Sequence, residues 1–271
     1  MKFVTLLTDF GLRDGYVGVM KGVIYGIAPH TQIADISHTI SPQNIMEGAL
    51  ALGRVSTYFP PGTVHIAIVD PGVGTARRPI AARIGAHYFV GPDNGLFTVV
   101  LERAERNGDH VALVHLDRPR FWLPIVSNVF HGRDIFSPVG AHLANEIPLD
   151  DVGTRIGNIV RLDIPRVEQS SNGFRGQVIS IDHFGNLATN IMREHLTGMD
   201  LQSIKVSLGG MEITGLVNTF GDRSPGELVA LFGTTNDLIV SVVNGSAAGR
   251  LNMHVGEPVE VSEGLPCKSL P

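Results

Sequence analysis

The first seventy residues alternate between two kinds of apolar pattern, and this alternation restricts the fold more than any other feature of the chain. Residues 3–7 (FVTLL) form an apolar run of strand length. Residues 14–28 follow, with Val17, Met20, Val23, Ile24 and Ile27 near helical spacing; Asp14 is placed to cap this helix and Pro29 to end it. Residues 32–36 read as a second strand. Asn44 opens a second helix with Glu47 three residues on, a capping-box arrangement, and the helix runs to about residue 58 before Pro60-Pro61-Gly62. Residues 63–69 (TVHIAIV) are β-branched and apolar, a third buried strand. The order β-α-β-α-β with short links predicts a parallel sheet with helical crossovers.

Residues 80–84 and 88–90 add strands around a turn at Gly85, residues 96–106 a helix, and residues 111–116 another strand. Residues 132–145 read as a helix because Ile135, Phe136, Val139 and Leu143 share a face, provided that Pro138 falls in its first turn. The composition changes near residue 160. Residues 161–173 (RLDIPRVEQSSNG) read as a linker, and after it come short strands at 175–181, 187–191, 204–208, 211–214, 227–232, 238–243 and 258–261. The expected architecture is α/β: a Rossmann-like N-terminal domain over residues 1–160 with a mainly parallel sheet, and a smaller all-β, barrel-like domain over residues 174–271.

The 271 residues carry a net charge of −5 and are 43% hydrophobic, which suits a packed protein and argues against nucleic acid as partner. No apolar run approaches membrane-spanning length, and nothing resembles a signal peptide. Cys267 is the one cysteine, so no intrachain disulfide and no cysteine-rich zinc site can form; a reducing cytoplasm fits.

Within this frame one stretch stands out. Val69-Asp70-Pro71-Gly72-Val73-Gly74 puts a carboxylate at a strand end and turns sharply, and Arg77 follows seven residues after the acid. In an open α/β sheet, ligands bind outside the carboxyl ends of the strands. An Asp–Arg pair on a surface loop would look the same in sequence. Asp9 ends the first strand as Asp70 ends the third, so both face one rim, where a carboxylate can accept both hydroxyls of a ribose. Phe130-His131-Gly132-Arg133-Asp134 precedes a helix and offers a proton-transfer histidine, although one of 11 histidines means little alone. Asp182-His183-Phe184-Gly185-Asn186 and Asn244-Gly245-Ser246-Ala247-Ala248 have the composition of ordinary turns, the second with small residues that let a flat ring approach. Dinucleotide, Walker, zinc-protease and nucleophile-elbow motifs are missing, and the spacing of Asp70, His131 and Asp134 supports no particular metal.

Taken in order, Leu7-Thr8-Asp9-Phe10-Gly11, Ile40-Ser41-Pro42 through Glu47-Gly48-Ala49, Val69 to Gly74, Gly91-Pro92-Asp93-Asn94-Gly95, Phe130 to Asp134 and Phe184-Gly185-Asn186 resemble the S-adenosyl-L-methionine (SAM) hydroxide adenosyltransferases, or SAM hydrolases, relatives of the fluorinase and chlorinase enzymes. The resemblance covers nearly the whole chain. It implies an N-terminal α/β domain, a C-terminal barrel-like domain, and a homotrimer with SAM between subunits. It further implies that Asp70, Arg77 and His131 prepare water or hydroxide and that Asp9 holds the ribose diol. Phe184 and Asn186, with Asp182 in the same turn, would contact the adenosine or methionine portions. Ser246 and Ala247 would meet adenine, and Thr235, Asn236 and Asp237 the methionine head. The halogenating members usually carry Tyr where this chain has Asp70 and Tyr-Ser where it has His131-Gly132, so the water-using branch is expected. SAM would be substrate, with no further cofactor or metal; a SAM-dependent halogenase or a non-catalytic SAM or adenosine sensor are the other readings.

Overall fold

The computed structural model describes residues 2–263; residues 264–271, with Cys267 among them, lie outside the described residues. The chain divides into two compact units between Asp163 and Ile164.

The first unit contains, in order, β1 (Lys2–Thr8), α1 (Tyr16–Ile27), β2 (Thr31–Ser37), α2 (Ile45–Val55), β3 (Val64–Ile68), β4 (Pro79–Ile84), β5 (His87–Pro92), α3 (Thr98–Asn107), β6 (Val111–His115), α4 (Ser137–Ala144) and β7 (Thr154–Ile156). Its sheet has the order β2-β1-β3-β5-β4-β6-β7. The β1–β2, β1–β3 and β3–β5 ladders are parallel, and the β5–β4, β4–β6 and β6–β7 ladders antiparallel. The sheet is therefore mixed, not mainly parallel as its first three strands suggest. The reason is local: only Gly85 and Ala86 separate β4 from β5, a two-residue hairpin that forces antiparallel pairing.

Side chains alternate across this sheet with the period of two that strands impose. Val4, Leu6, Ile66 and Ile68 pack with Met20 and Ile24 of α1 and Val139 of α4, whereas Leu7, Ala67 and Val69 pack with Leu52 of α2 and Leu101 of α3. Helices thus cover both faces, which is why β3 is buried at every position. His65 interrupts its apolar run. It is fully buried, its Nδ1 lies 2.7 Å from Thr5 Oγ1, and its ring stacks on Phe89. Burial, with the neighbouring charges of His87 and Arg103, lowers its pKa to about 3.

Two helix starts differ from expectation in informative ways. Asn44 caps α2 by accepting from the Glu47 N–H at 3.0 Å, but Glu47 reaches back to the Ser41 N–H and the Asn44 side chain instead of the Asn44 backbone. Asp14 does not cap α1. The cap position is Gly15, which makes no side-chain bond, and the helix begins at Tyr16. The helix expected over 132–145 is two pieces, a π-helical turn at Gly132–Phe136 and then α4. Pro138 falls in the first turn of α4, where its missing N–H costs nothing.

The second unit contains β8 (Glu168–Ser170), β9 (Gly173–Ile181), β10 (Leu187–Met192), β11 (Lys205–Leu208), β12 (Met211–Thr214), β13 (Leu228–Phe232), β14 (Asp237–Val242), α5 (Ala247–Leu251) and β15 (Pro258–Ser262). Its antiparallel sheet runs β12-β11-β15-β9-β10-β14-β13, with β8 added to β9. β8 lies within the stretch 161–173 that reads as linker; its polar, exposed sequence hides an edge strand. Just past β12, Val217 donates to the Ala230 carbonyl of β13 at 2.9 Å, so the two ends of the sheet approach and it curls nearly into a barrel. Val178, Ile191, Val206, Val240 and Val259 fill its interior.

Candidate active site

The parallel register of β1 and β3 pairs Thr8 with Ile68, so Asp9 and Asp70 leave the sheet at the same rim. Asp70 begins a tight turn. Its carbonyl accepts from the Val73 N–H at 3.2 Å, and the Gly72 carbonyl accepts from Thr75 Oγ1 at 2.7 Å. Gly74 has φ +77°, and a Cβ there would stand 2.2 Å from the Asn128 carbonyl oxygen, so only glycine fits. The turn is braced on both sides. Asn94 Nδ2 donates to the Val69 carbonyl at 2.8 Å, and Arg78 Nε donates to Asp93 Oδ2 at 2.7 Å. The Gly-Pro-Asp-Asn-Gly motif is thus a clamp on the strand end that carries Asp70.

This turn folds Arg77 back onto Asp70. Arg77 Nε donates to Asp70 Oδ1 at 3.1 Å, and Arg77 Nη2 donates to Asp70 Oδ2. The two side chains are only 7% and 5% exposed, so they are no surface decoration. The guanidinium lies 5.4 Å from the ring centre of Phe136, which is fully buried. Arg77 Nη2 also lies 3.1 Å from His131 Nδ1. Asp70, Arg77 and His131 therefore form one cluster, drawn from two loops more than fifty residues apart. Arg77 Nη1 is buried and has no protein partner.

The cluster has its own electrostatics. Burial raises the pKa of Asp70 above its usual value, against the opposing pull of Arg77. Burial and the Arg77 charge lower the pKa of His131, against Asp70 and Asp134. A guanidinium can only donate, so neutral His131 accepts at Nδ1 and carries its hydrogen on Nε2.

The loop that leads into His131 is braced by Asp134, which the sequence offers as a member of the motif and in an unsupported metal set. Asp134 is fully buried. Its Oδ2 accepts from the Ser127 N–H at 2.8 Å, and its Oδ1 from Arg133 Nε at 2.6 Å. Burial raises its pKa, but these bonds outweigh it and leave the carboxyl below its usual range. Ser127 Oγ in turn accepts from the Phe130 N–H at 3.1 Å. The loop before His131 is thereby tied to the π-helical turn after it. Among the described residues, no group of three or more His, Cys, Asp and Glu side chains is arranged to hold a metal ion.

Asp9 accepts from the Gln43 N–H through Oδ2 at 2.8 Å. In the second unit, Asp182 Oδ1 accepts from the N–H groups of Phe184 and Asn186, both at 2.9 Å, and Asp182 Oδ2 from Asn186 Nδ2 at 2.7 Å. This turn leaves the Phe184 ring 72% exposed. A Cβ on Gly185 would meet Ser246 Oγ at 2.0 Å, and the Gly185 carbonyl accepts from the Ala248 N–H at 2.9 Å. Asp182, Phe184, Asn186, Ser246 and Ala247 are thus gathered in one place, Ser246 capping α5 and Ala247 buried beneath it. Asn236 does not join them. It sits in the turn between β13 and β14, at the end of β14 away from Ser246.

Comparison with known proteins agrees with the motif pattern. Residues 4–153 match the N-terminal domain of the SAM hydroxide adenosyltransferases, and residues 176–260 match their C-terminal domain. The chain is 40% identical to the (R)-S-adenosyl-L-methionine hydrolase of Salinispora tropica, over 97% of this chain and 98% of that one. It is 30% identical to a fluorinase of an Actinoplanes species, over 81% and 83%. A crystal structure of an uncharacterised conserved protein from Thermotoga maritima superposes with a TM-score of 0.89 at 36% identity, covering 96% of this chain and 100% of that one. No helix among the described residues is long and apolar enough to cross a membrane. From both matched domains and these near-full-length relatives, the chain belongs to the SAM hydroxide adenosyltransferase family.

Proposed function

We propose that the chain hydrolyses SAM to adenosine and L-methionine, with the oxygen of water attacking ribose C5′ at the Asp70–Arg77–His131 cluster. The observation that carries this reading is the bonding of Arg77. Nε and Nη2 are committed to Asp70 and His131, while Nη1 is buried with its donors unused. A buried donor left unsatisfied costs roughly 1–3 kcal/mol. An attacking oxygen that is gaining negative charge supplies the missing acceptor.

The reaction forms the O–C5′ bond and breaks the C5′–S bond. The electron pair goes to sulfur, which leaves as the neutral thioether of methionine. No metal or redox cofactor is needed for that departure, and a chelator is expected to leave the rate unchanged. The proton of water goes to Asp70. Neutral His131 has no lone pair free, since Nδ1 faces Arg77, and it contributes its Nε2 hydrogen as a donor. Of the roughly four acceptor sites on the Asp70 carboxylate, Arg77 takes two and the Gly72 N–H one, which leaves a lone pair for the proton, and burial makes the carboxylate a stronger base than usual. Asp9 receives the ribose diol. Phe184, Asn186 and Asp182 contact the adenosine or methionine portions, and Ser246 and Ala247 meet adenine.

The same reading includes a homotrimer in which the cluster of one subunit is completed by the second unit of a neighbour. The exposed Leu12, Ile125 and Val129 of the first unit and Phe184 of the second support it. It includes a Rossmann-like description of the first unit, supported by helices on both faces of β2-β1-β3-β5 and a site at the strand ends. Cytoplasmic residence is part of it as well, resting on a chain with one cysteine.

Halogenation is disfavoured at Gly132. It has no hydroxyl to hold a halide, and a Cβ there would already stand 3.1 Å from Ile68 Cδ1 and 3.2 Å from Phe130. The test is incubation of the purified protein with SAM in metal-free buffer, with and without chloride or fluoride, followed by chromatography. Equal amounts of adenosine and methionine, indifferent to halide, are expected. A 5′-halo-5′-deoxyadenosine, or bound SAM without product, overturns the reading.

A further inference from the structure

His38 lies just past β2, away from the Asp70 cluster, and is almost fully buried. Its Nδ1 is 2.8 Å from Thr8 Oγ1. Thr8 is the last residue of β1, and its hydroxyl accepts from the Phe10 N–H at 3.2 Å, leaving its own hydrogen for His38 Nδ1. The Gly11 N–H donates to the His38 carbonyl at 2.7 Å. Both ends of the loop Thr8-Asp9-Phe10-Gly11 are therefore tied to one residue, and Asp9 is at its centre. On its far side His38 Nε2 stands 3.1 Å from Asp35 Oδ1, and Asp35 Oδ2 accepts from Lys21 Nζ at 2.6 Å. His38 Nε2 thus faces the Asp35–Lys21 pair without an aligned hydrogen bond.

A buried polar ring in this position is an expensive way to fill space, since an apolar side chain needs no partners. What the imidazole adds is a fixed bond to the hydroxyl that orients the Phe10 N–H. We propose that His38 is a positioning residue for substrate binding: through Thr8 and Gly11 it fixes the loop in the geometry in which Asp9 takes the ribose diol. The proposal rests on the SAM reading given above and adds to it a residue that touches no substrate. A position held by hydrogen bonds matters most for a bidentate contact, where a small displacement loses both bonds together.

The test is steady-state kinetics with SAM on His38→Leu, His38→Asn, His38→Gln, Asp9→Asn and the double variant His38→Leu/Asp9→Asn. His38→Leu is expected to raise KM about tenfold, the size of one buried hydrogen bond lost, with kcat within about threefold. In His38→Asn the amide oxygen can replace Nδ1 as acceptor for Thr8, and KM returns to within about threefold of wild type. In His38→Gln only the Nε2 side is replaced, and KM stays high. The double variant is no more than about twofold worse than Asp9→Asn, because the two act through one contact. A normal KM in His38→Leu beside a raised KM in Asp9→Asn overturns the positioning role alone. Multiplicative losses in the double variant do the same. An unchanged KM in Asp9→Asn removes the diol assignment, and the proposal with it. If His38→Leu does not fold, the Asn and Gln pair decides, and equal KM values in those two overturn the proposal.

Discussion

Arg77 Nη2 stands 3.1 Å from His131 Nδ1, and this contact fixes which nitrogen of His131 carries hydrogen. The imidazole next to a guanidinium cannot turn a lone pair outward and keep this bond. In the proposed reaction this leaves Asp70 as the base and His131 as a donor.

Asp70→Asn and His131→Ala should therefore fail differently. Asp70→Asn keeps the shape but removes the proton acceptor, and kcat should fall at least about 10²–10⁴-fold, the usual worth of a general base. His131→Ala removes one donor, with an expected loss of about 10²–10³-fold. Calorimetric titration with SAM should show binding largely retained in both. Normal turnover in either variant would remove that residue from the site.

Turnover should be lost on acidification. Asp70 must be ionised and His131 neutral, and both conditions fail as pH falls. Burial raises the pKa of Asp70 above its ordinary 3.8 and lowers that of His131, so the acid limb of kcat should lie above the ordinary carboxylate value. A pH–rate profile from pH 4 to 9 measures it. A limb at or below the ordinary carboxylate value would contradict the raised, buried Asp70.

Gly74→Ala should destabilise the protein and displace the catalytic turn. The left-handed φ and the 2.2 Å approach to the Asn128 carbonyl combine backbone strain with a steric clash. The expected cost is about 2–4 kcal/mol in a urea titration. Activity measured well below the unfolding midpoint should fall too, because the same turn places Arg77 against Asp70.

His65 should make the protein acid-labile independently of the active site. Its folded pKa of about 3 lies below the unfolded value of 6.5, so below pH 6.5 the unfolded chain binds a proton that the native state refuses. Stability from this group is complete above pH 6.5 and declines as pH falls toward 3, by up to about 1.4 kcal/mol per pH unit. Urea midpoints at pH 7 and pH 5 should differ in wild type and differ less in His65→Gln. Equal pH dependence in both would mean that other groups dominate.

Much of this protein is written locally. The alternation in residues 1–70 shows the first three strands and first two helices of the first unit because each element's period is set by its own residues. The short strands after residue 174 are equally readable, each being an apolar run between turns. Asp9 and Asp70 are legible as site residues because a parallel sheet brings its strand ends to one rim. Asp14 misleads because capping depends on a backbone geometry that Gly15 takes instead. β8 escapes notice because an edge strand at the surface needs no apolar residues.

The sequence by itself determined most of the elements and the family motifs, whose resemblance singles out Asp70, Arg77 and His131. Tertiary structure alone decided how these work. The meeting of Arg77 with His131, the burial that shifts Asp70 and His131 in opposite directions, and the tie from His38 to the Asp9 loop all join residues distant in sequence. So does the placement of β5 beside β3, with β4 outside it. The physical reason is the same throughout: spacing along a chain encodes period and turn, whereas desolvation and hydrogen-bond partnership depend on which distant groups pack together.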